Sequence, residues 1–212
     1  MGIPDESEMR VGILGGTFNP PHIGHAIMAR TVLESGHVDE VWVMPAKQNP
    51  MKNLETSASN HDRGEMVEMM VAEMEGGIFY SSFELDQTGD EPSYSYSTLH
   101  KLSAKFPHHQ FKWIVGLDCL YDLGKEPLRG WKNGKELVQE FGIIVLERKI
   151  TDCILGDYRN AQNILTIPNS PIIDISSTQI RERVREGKSI RFLVPECVEE
   201  YIKQNKLYEQ ND

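Results

Sequence analysis

The chain has 212 residues, 39% hydrophobic and 25% charged, the composition of an ordinary soluble globular protein with room for one large domain. Its formal net charge of −10 argues against nucleic acid or an anionic membrane surface as the main partner, and no run approaches the roughly 20 apolar residues of a membrane span. Three widely spaced cysteines, Cys119, Cys153 and Cys197, form no CxxC pair and no zinc-ligand pattern, which points to a reduced, cytoplasmic protein.

Residues 1–9 are acidic at the start and lack an apolar core, so they read as a loose lead-in rather than a secretory signal. Residues 10–212 read as a single domain. Val11–Leu14 is a buried strand, followed by a helix over Pro21–Ser35, with Asn19 as its N-cap and Gly36 as its stop. Glu40–Met44 is the second strand. Pro45–Asn60 is a polar loop holding Lys47 and Lys52, and His61–Glu75 is a Met-rich amphipathic helix ended by Gly76-Gly77. A strand over Ile78–Leu85, a helix over Ser93–Phe106 and a strand over Phe111–Val115 follow. Gly124–Gly134 is a Gly- and Lys-rich loop around Trp131, followed by a short helix over Lys135–Phe141. Gly142–Leu146 and Ile164–Ile167 are short strands, and helices run from Ser177 to about Glu186 and over Pro195–Asn205. Strand and helix alternate almost throughout. That pattern predicts an α/β fold: a Rossmann-like, doubly wound parallel sheet with helices on both faces and a small C-terminal helical extension over about 177–210. The C-terminal third is less regular and reads as an addition to the sheet.

Two blocks carry chemistry. The first is Gly15-Gly16-Thr17-Phe18-Asn19-Pro20-Pro21-His22-Ile23-Gly24-His25, between the first strand and the first helix. Glycines let a backbone approach phosphate oxygens, and a helix N-terminus offers free N–H groups and partial positive charge. His22 and His25 are three apart, so on a helix they share a face and reach one ligand together. Such donors suit a phosphorus centre that gains negative charge. The second block is Ile175-Ser176-Ser177-Thr178-Gln179-Ile180-Arg181. Ser176 and Gln179 have the spacing of a capping box, and Ile175 and Ile180 that of a hydrophobic staple. The capping pattern leaves the hydroxyl cluster and Arg181 unexplained, and these suit the β- and γ-phosphates of a nucleoside triphosphate. Arg181, Arg183, Arg185, Lys188 and Arg191 supply a local basic density in an otherwise acidic chain.

The first block resembles the signature of the nucleotidyltransferase superfamily that carries an HxGH motif, and the second resembles the late ISSTxIR motif of the same superfamily. The literal His22–His25 string is also similar to that of class I aminoacyl-tRNA synthetases, but the chain is short and has no KMSKS-like string. Pro92-Ser93-Tyr94 with Thr98-Leu99, Gly116-Leu117-Asp118 and Asn205-Lys206-Leu207-Tyr208 resemble segments of bacterial nicotinate-nucleotide adenylyltransferases, so the likeness runs from Arg10 to Tyr208. Two departures stand out. The substrate loop reads Asn49-Pro50-Met51-Lys52, with Met51 where the family's PPHK-like string has histidine, and the stretch from Asp118 to Trp131 is lengthened by Gly124–Gly130.

The resemblance implies adenylyl transfer from ATP to nicotinate mononucleotide, giving nicotinate adenine dinucleotide and pyrophosphate within NAD biosynthesis. It implies His22, His25 and Arg181 as catalytic residues. It implies ATP binding by Gly15, Gly16, Thr17, Phe18, Gly116, Asp118, Ser176, Ser177 and Thr178. Asn19, Lys47, Lys52, Tyr94, Thr98 and Trp131 would bind the mononucleotide, with Mg²⁺ bound mainly through ATP phosphates and no dedicated protein metal site. Nicotinamide mononucleotide stays open as the preferred acceptor, and another phosphorylated acceptor, such as phosphopantetheine, stays open behind it. A catalytically silent nucleotide sensor is the remaining alternative, and pyrophosphate release separates it from an enzyme.

Overall fold

In the computed structural model, residues 8–48, 58–89, 91–116, 130–146, 163–171 and 173–209 are described. Six strands form one sheet: β1 Arg10–Gly16, β2 Glu40–Pro45, β3 Ile78–Tyr80, β4 Gln110–Gly116, β5 Ile143–Leu146 and β6 Ile164–Ile167. All neighbours are parallel, in the order β3-β2-β1-β4-β5-β6. The helices are α1 Ile23–Glu34, α2 Asn60–Ala72, α3 Ser95–Lys105, α4 Gly134–Glu140, α5 Ser177–Arg185 and α6 Glu196–Gln204.

Side chains alternate across a strand, so each strand feeds two cores. Leu14, Val41, Val43, Ile114 and Ile144 face a core shared with α1, α2, α5 and α6. Val11, Ile13, Met44, Trp113, Val115, Ile143 and Val145 face a second core filled by Leu99 and Leu102 of α3 and Leu137 and Val138 of α4. Both faces of the sheet are therefore covered. The sequence expectation of a doubly wound parallel sheet holds.

Two local expectations need correcting. The third strand stops at Tyr80, and residues 83–86 form a turn rather than the predicted extension to Leu85. The N-cap of α1 is His22, not Asn19, because Asn19-Pro20-Pro21 is spent on the turn, where the Asn19–Pro20 bond is cis. In the C-terminal third, β5 and β6 extend the same sheet beyond β4. Among the described residues no helix is long and apolar enough to cross a membrane. Cys197 is a free, half-buried thiol, and burial with the Glu73 carboxylate beside it pushes its pKa up to about 12.

Candidate active site

Strand order reverses direction between β1 and β4, and in open α/β sheets ligands bind outside the strand C-termini at that point. A cleft of about 820 Å³ opens there. Leu14–Phe18 and Ile114–Gly116 form its floor, and His22 and His25 stand at the start of α1. Ile175–Thr178 lead into α5, Ser93–Ser95 lead into α3, and Gly130–Lys132 precede α4. Two motifs about 150 residues apart in sequence thus meet at one cavity.

The geometry explains the glycines. A Cβ on Gly15 would lie 2.1 Å from the Trp113 ring, so only glycine lets β1 pass that indole. A Cβ on Gly24 would lie 3.0 Å from Nδ1 of His22, so the residue between the two histidines must be small for their rings to close up. They do close up: the two imidazoles stack with centroids 3.6 Å apart and planes 22° apart. The His22 backbone N–H donates to His25 Nδ1 at 3.1 Å. An accepting Nδ1 leaves the proton of a neutral ring on Nε2, which makes His25 a donor through that atom. Phe18 meets the His25 ring edge-on at 4.7 Å, and its own backbone is in the left-handed region with φ 49°.

The second motif begins α5 with the capping box read from the sequence. Gln179 N–H donates to Ser176 Oγ at 3.2 Å, and Ser176 N–H donates to Gln179 Oε1 at 3.0 Å. Its other polar groups brace the first motif. Ser177 Oγ donates to the Pro20 carbonyl at 2.8 Å, and Arg181 Nη1 donates to the Asn19 carbonyl at 2.8 Å. Arg181 Nη2 donates to Thr178 Oγ1 at 3.3 Å, and burial pulls the guanidinium below its ordinary pKa.

Of the residues singled out in the sequence, Gly15, Gly16, Thr17, Phe18, His22, His25, Tyr94, Gly116, Trp131, Ser176, Ser177 and Thr178 line the cleft. Asn19, Lys47, Thr98 and Arg181 stand behind its wall. Lys47 Nζ donates to the carbonyls of Gln87 and Gly89, each at 2.5 Å. Thr98 Oγ1 donates to Glu84 Oε1 at 2.6 Å. Asn19 Oδ1 accepts from Ala58 N–H at 3.1 Å and from the Tyr208 hydroxyl at 2.8 Å. Lys52, Asp118, Met51 and Gly124–Arg129 lie outside the described residues.

Three residues went unread in the sequence, and a fourth, Tyr208, was read there only as part of a terminal string. Arg63 is 1% exposed, and its guanidinium donates to the carbonyls of Thr17 at 2.6 Å and Ala46 at 2.7 Å and to Asn60 Oδ1 at 2.5 Å. It ties the loop after β1 to the loop after β2. Tyr208 caps Asn19, and burial raises its phenol, so it stays a donor. Glu84 is buried on the cleft wall, and burial raises its carboxyl above the ordinary value despite hydroxyls donated by Thr98 and Ser93. Lys132 follows Trp131 on the same wall. An arginine near the start of an amphipathic helix and a lysine in a lysine-rich loop carry no signal of a role in the sequence.

A doubly wound sheet with a glycine turn, paired histidines and a hydroxyl-rich helix start at its switch point defines a nucleotide-binding α/β protein that works at phosphate. Residues 13–183 match the model of the cytidylyltransferase-like family. A probable nicotinate-nucleotide adenylyltransferase of Lactiplantibacillus plantarum is 39% identical over 204 residues, covering 96% of this chain and 90% of that one. One from a Synechococcus species is 39% identical over 212 residues, covering 98% and 99%. Among solved structures, Plasmodium falciparum nicotinic acid mononucleotide adenylyltransferase complexed with NaAD superposes with a TM-score of 0.75 at 22% identity, covering 95% of this chain and 98% of that one, which supports the fold. The chain belongs to the cytidylyltransferase-like family and, within it, to the nicotinate-nucleotide adenylyltransferases.

Proposed function

We propose that this chain transfers the adenylyl group of ATP to nicotinate mononucleotide, giving nicotinate adenine dinucleotide and pyrophosphate. The observation that carries the reading is the convergence of the His22–His25 pair, the Gly15–Phe18 turn and the Ser176–Thr178 helix start on one cleft that also holds Tyr94 and Trp131. Phosphate donors and aromatic rings in one cavity suit a substrate pair of triphosphate and pyridine mononucleotide. The relatives' name points to the same acceptor.

In this reading the 5′-phosphate oxygen of the mononucleotide attacks the α-phosphorus of ATP in line. The new P–O bond forms as the bond to the α,β-bridging oxygen breaks, and pyrophosphate leaves with that electron pair. Positioning and charge neutralisation supply the acceleration. Backbone N–H groups of Gly16, Thr17 and Phe18 hold phosphate oxygens, and His22 with the Nε2 donor of His25 meets the charge that grows on the α-phosphate. Ser176, Ser177 and Thr178 at the α5 N-terminus hold the leaving phosphates. Arg181 adds positive charge behind them while keeping Asn19 in place. Gly116 and Asp118 border the nucleoside, and Lys52 meets the mononucleotide phosphate. Tyr94 and Trp131 flank the pyridine, Thr98 acts on that wall through Glu84, and Lys47 and Asn19 hold the loops that frame it. The cleft's donors are hydroxyls, imidazoles and backbone N–H groups, which fit phosphate oxygens. Mg²⁺ entering with the triphosphate and held by phosphate and water oxygens would neutralise its charge.

The test is pyrophosphate release from Mg·ATP with nicotinate mononucleotide, beside nicotinamide mononucleotide. Release that prefers the nicotinate form and drops by about a hundredfold or more in His25→Ala is expected, the scale of a lost transition-state donor. An enzyme that ignores both mononucleotides, or a His25→Ala variant with full turnover, would overturn the reading.

A further inference from the structure

We propose that Tyr208, beyond α6, is a positioning residue for adenylyl transfer: its hydroxyl fixes Asn19, and Asn19 fixes the turn after β1 against the stretch after β2. The role rests on the adenylyl-transfer reading above and deepens it, because Tyr208 does not line the cleft and acts there only through Asn19.

Asn19 is the node, and it is buried. Its Oδ1 accepts from Ala58 N–H at 3.1 Å and from the Tyr208 hydroxyl at 2.8 Å, and its backbone carbonyl accepts from Arg181 Nη1 at 2.8 Å. A backbone N–H can only donate, so the amide atom facing Ala58 is the oxygen, and that same oxygen takes the phenol proton. With two donors on it, both lone pairs of Oδ1 are used. One side chain thereby ties together the turn after β1, the residue that leads into the Ser59 cap of α2, and the segment beyond α6. Arg63 ties the same turn to the other end of that stretch, through the carbonyls of Thr17 and Ala46. Ala46 and Ala58 are thus both bonded into the 17–19 turn. Between them in sequence stands Lys52, which the transfer reading gives to the mononucleotide phosphate, while Thr17 and Phe18 offer N–H groups to ATP. The network therefore sets the attacking phosphate against the phosphorus that it attacks.

Reaching Asn19 bends the backbone beyond α6. Lys206 has φ 51° and Tyr208 has φ 66°, the left-handed region that side chains other than glycine rarely adopt. Such strain persists where the surrounding structure holds it in place. The Leu207 N–H donates to the Ile202 carbonyl at 3.0 Å, and the Tyr208 ring packs on the core shared by α1, α2, α5 and α6. Burial holds the phenol above its ordinary pKa, with the charges of Arg181 and Arg63 opposing, so it is a donor at neutral pH.

The experiment measures kcat and both KM values of the full chain with Mg·ATP and nicotinate mononucleotide, with thermal unfolding alongside. The variants are Tyr208→Phe, Asn19→Ala and the two combined. Phenylalanine keeps the ring in the core and removes one hydroxyl. In Tyr208→Phe kcat is expected to fall about tenfold, the scale of a small misplacement at the reacting centre. Each KM should stay within about twofold of wild type, since no substrate contact is lost. In the Asn19→Ala background the same change should alter kcat by less than about twofold, because the hydroxyl acts through Asn19. A Tyr208→Phe enzyme that unfolds earlier but turns over at the wild-type rate would reduce the phenol to a structural role and overturn the assignment. Equal losses of kcat in the two backgrounds would overturn it as well, and both results leave adenylyl transfer intact. A wild type that releases no pyrophosphate with nicotinate or nicotinamide mononucleotide would overturn the transfer reading itself, and this assignment with it.

Discussion

The His22–His25 side of the cleft is braced by side chains from distant parts of the chain, whereas the Tyr94–Trp131 side hangs on one turn before α4 and the start of α3. Arg63 of α2, Ser177 and Arg181 of α5, and Tyr208 beyond α6 all bond to residues 17–20, and Ile23 N–H donates to the Leu193 carbonyl at 3.0 Å. On the other side Lys132 is exposed and Tyr94 has its ammonium as a neighbour. The difference matches what each side is asked to do. Stabilising charge on a phosphorus needs donors fixed before the substrate arrives, because any reorganisation is subtracted from catalysis.

The contrast breaks first at Arg63. Replacing it with methionine removes charge-assisted donors from the carbonyls of Thr17 and Ala46 inside a packed core. The expected loss is roughly 3 kcal/mol in chemical denaturation, since buried bonds to a charged group are worth more than neutral ones and are not additive. Turnover should fall as well, because the loop under His22 loses its brace. Arg63→Lys should recover part of the stability. An Arg63→Met enzyme that melts like wild type would show that the bracing is ornamental.

A smaller and cleaner effect is expected at Gly24. Alanine would bring a methyl to 3.0 Å from His22 Nδ1, so the imidazole must shift by a few tenths of an ångström. A misplacement on that scale should cost about tenfold in kcat. Alanine is also the better helix former by about 0.5–1 kcal/mol, so stability should hold or rise. Loss of turnover without loss of stability separates the positioning of His22 from general damage. A variant with full kcat would mean that the stacked histidine geometry is not what the reaction uses.

The parts that could be read in the sequence are those whose cause is local. Apolar runs such as Val11–Leu14 and Glu40–Met44 had to be buried strands, and a serine followed three residues on by glutamine had to cap a helix. The Gly15–His25 turn that lines the cleft stood out because glycines, prolines and two histidines coincide in eleven residues. The contacts of Arg63 and Tyr208 were not, because they lie across the fold: a carbonyl 46 residues away for Arg63, an asparagine 189 residues away for Tyr208. The third strand was overrun for a related reason. The run Ile78–Leu85 is apolar enough for a longer strand, but only Ile78–Tyr80 finds β2 as a partner. Lys47 and Thr98 were read as substrate-binding residues, yet their polar atoms are turned to Gln87, Gly89 and Glu84, a direction that spacing alone does not encode.

The smallest effect expected is at Glu84, where the two sides of the cleft meet. Burial is the largest influence on this carboxyl and raises its pKa; hydroxyls of Thr98 and Ser93 and the charges of Lys101 and Arg63 oppose it without cancelling it. The sign follows from linkage. A carboxyl whose folded pKa lies above its unfolded value holds its proton more tightly in the folded state, so its contribution is complete below the ordinary value of 4.5 and is lost as pH rises through the folded one. Glu84→Gln cannot ionise and escapes that loss. The gap in Tm between variant and wild type should therefore move in favour of glutamine as pH rises from about 4.5 towards neutrality, with the other titrating groups cancelling in the difference. At any one pH the shift should stay within about 1 kcal/mol, because the amide oxygen still accepts from Thr98 and only the net value of a neutral bond is at stake. A gap that moves the other way would mean that Lys101 and Arg63 outweigh burial, and that a full negative charge stands beside Tyr94.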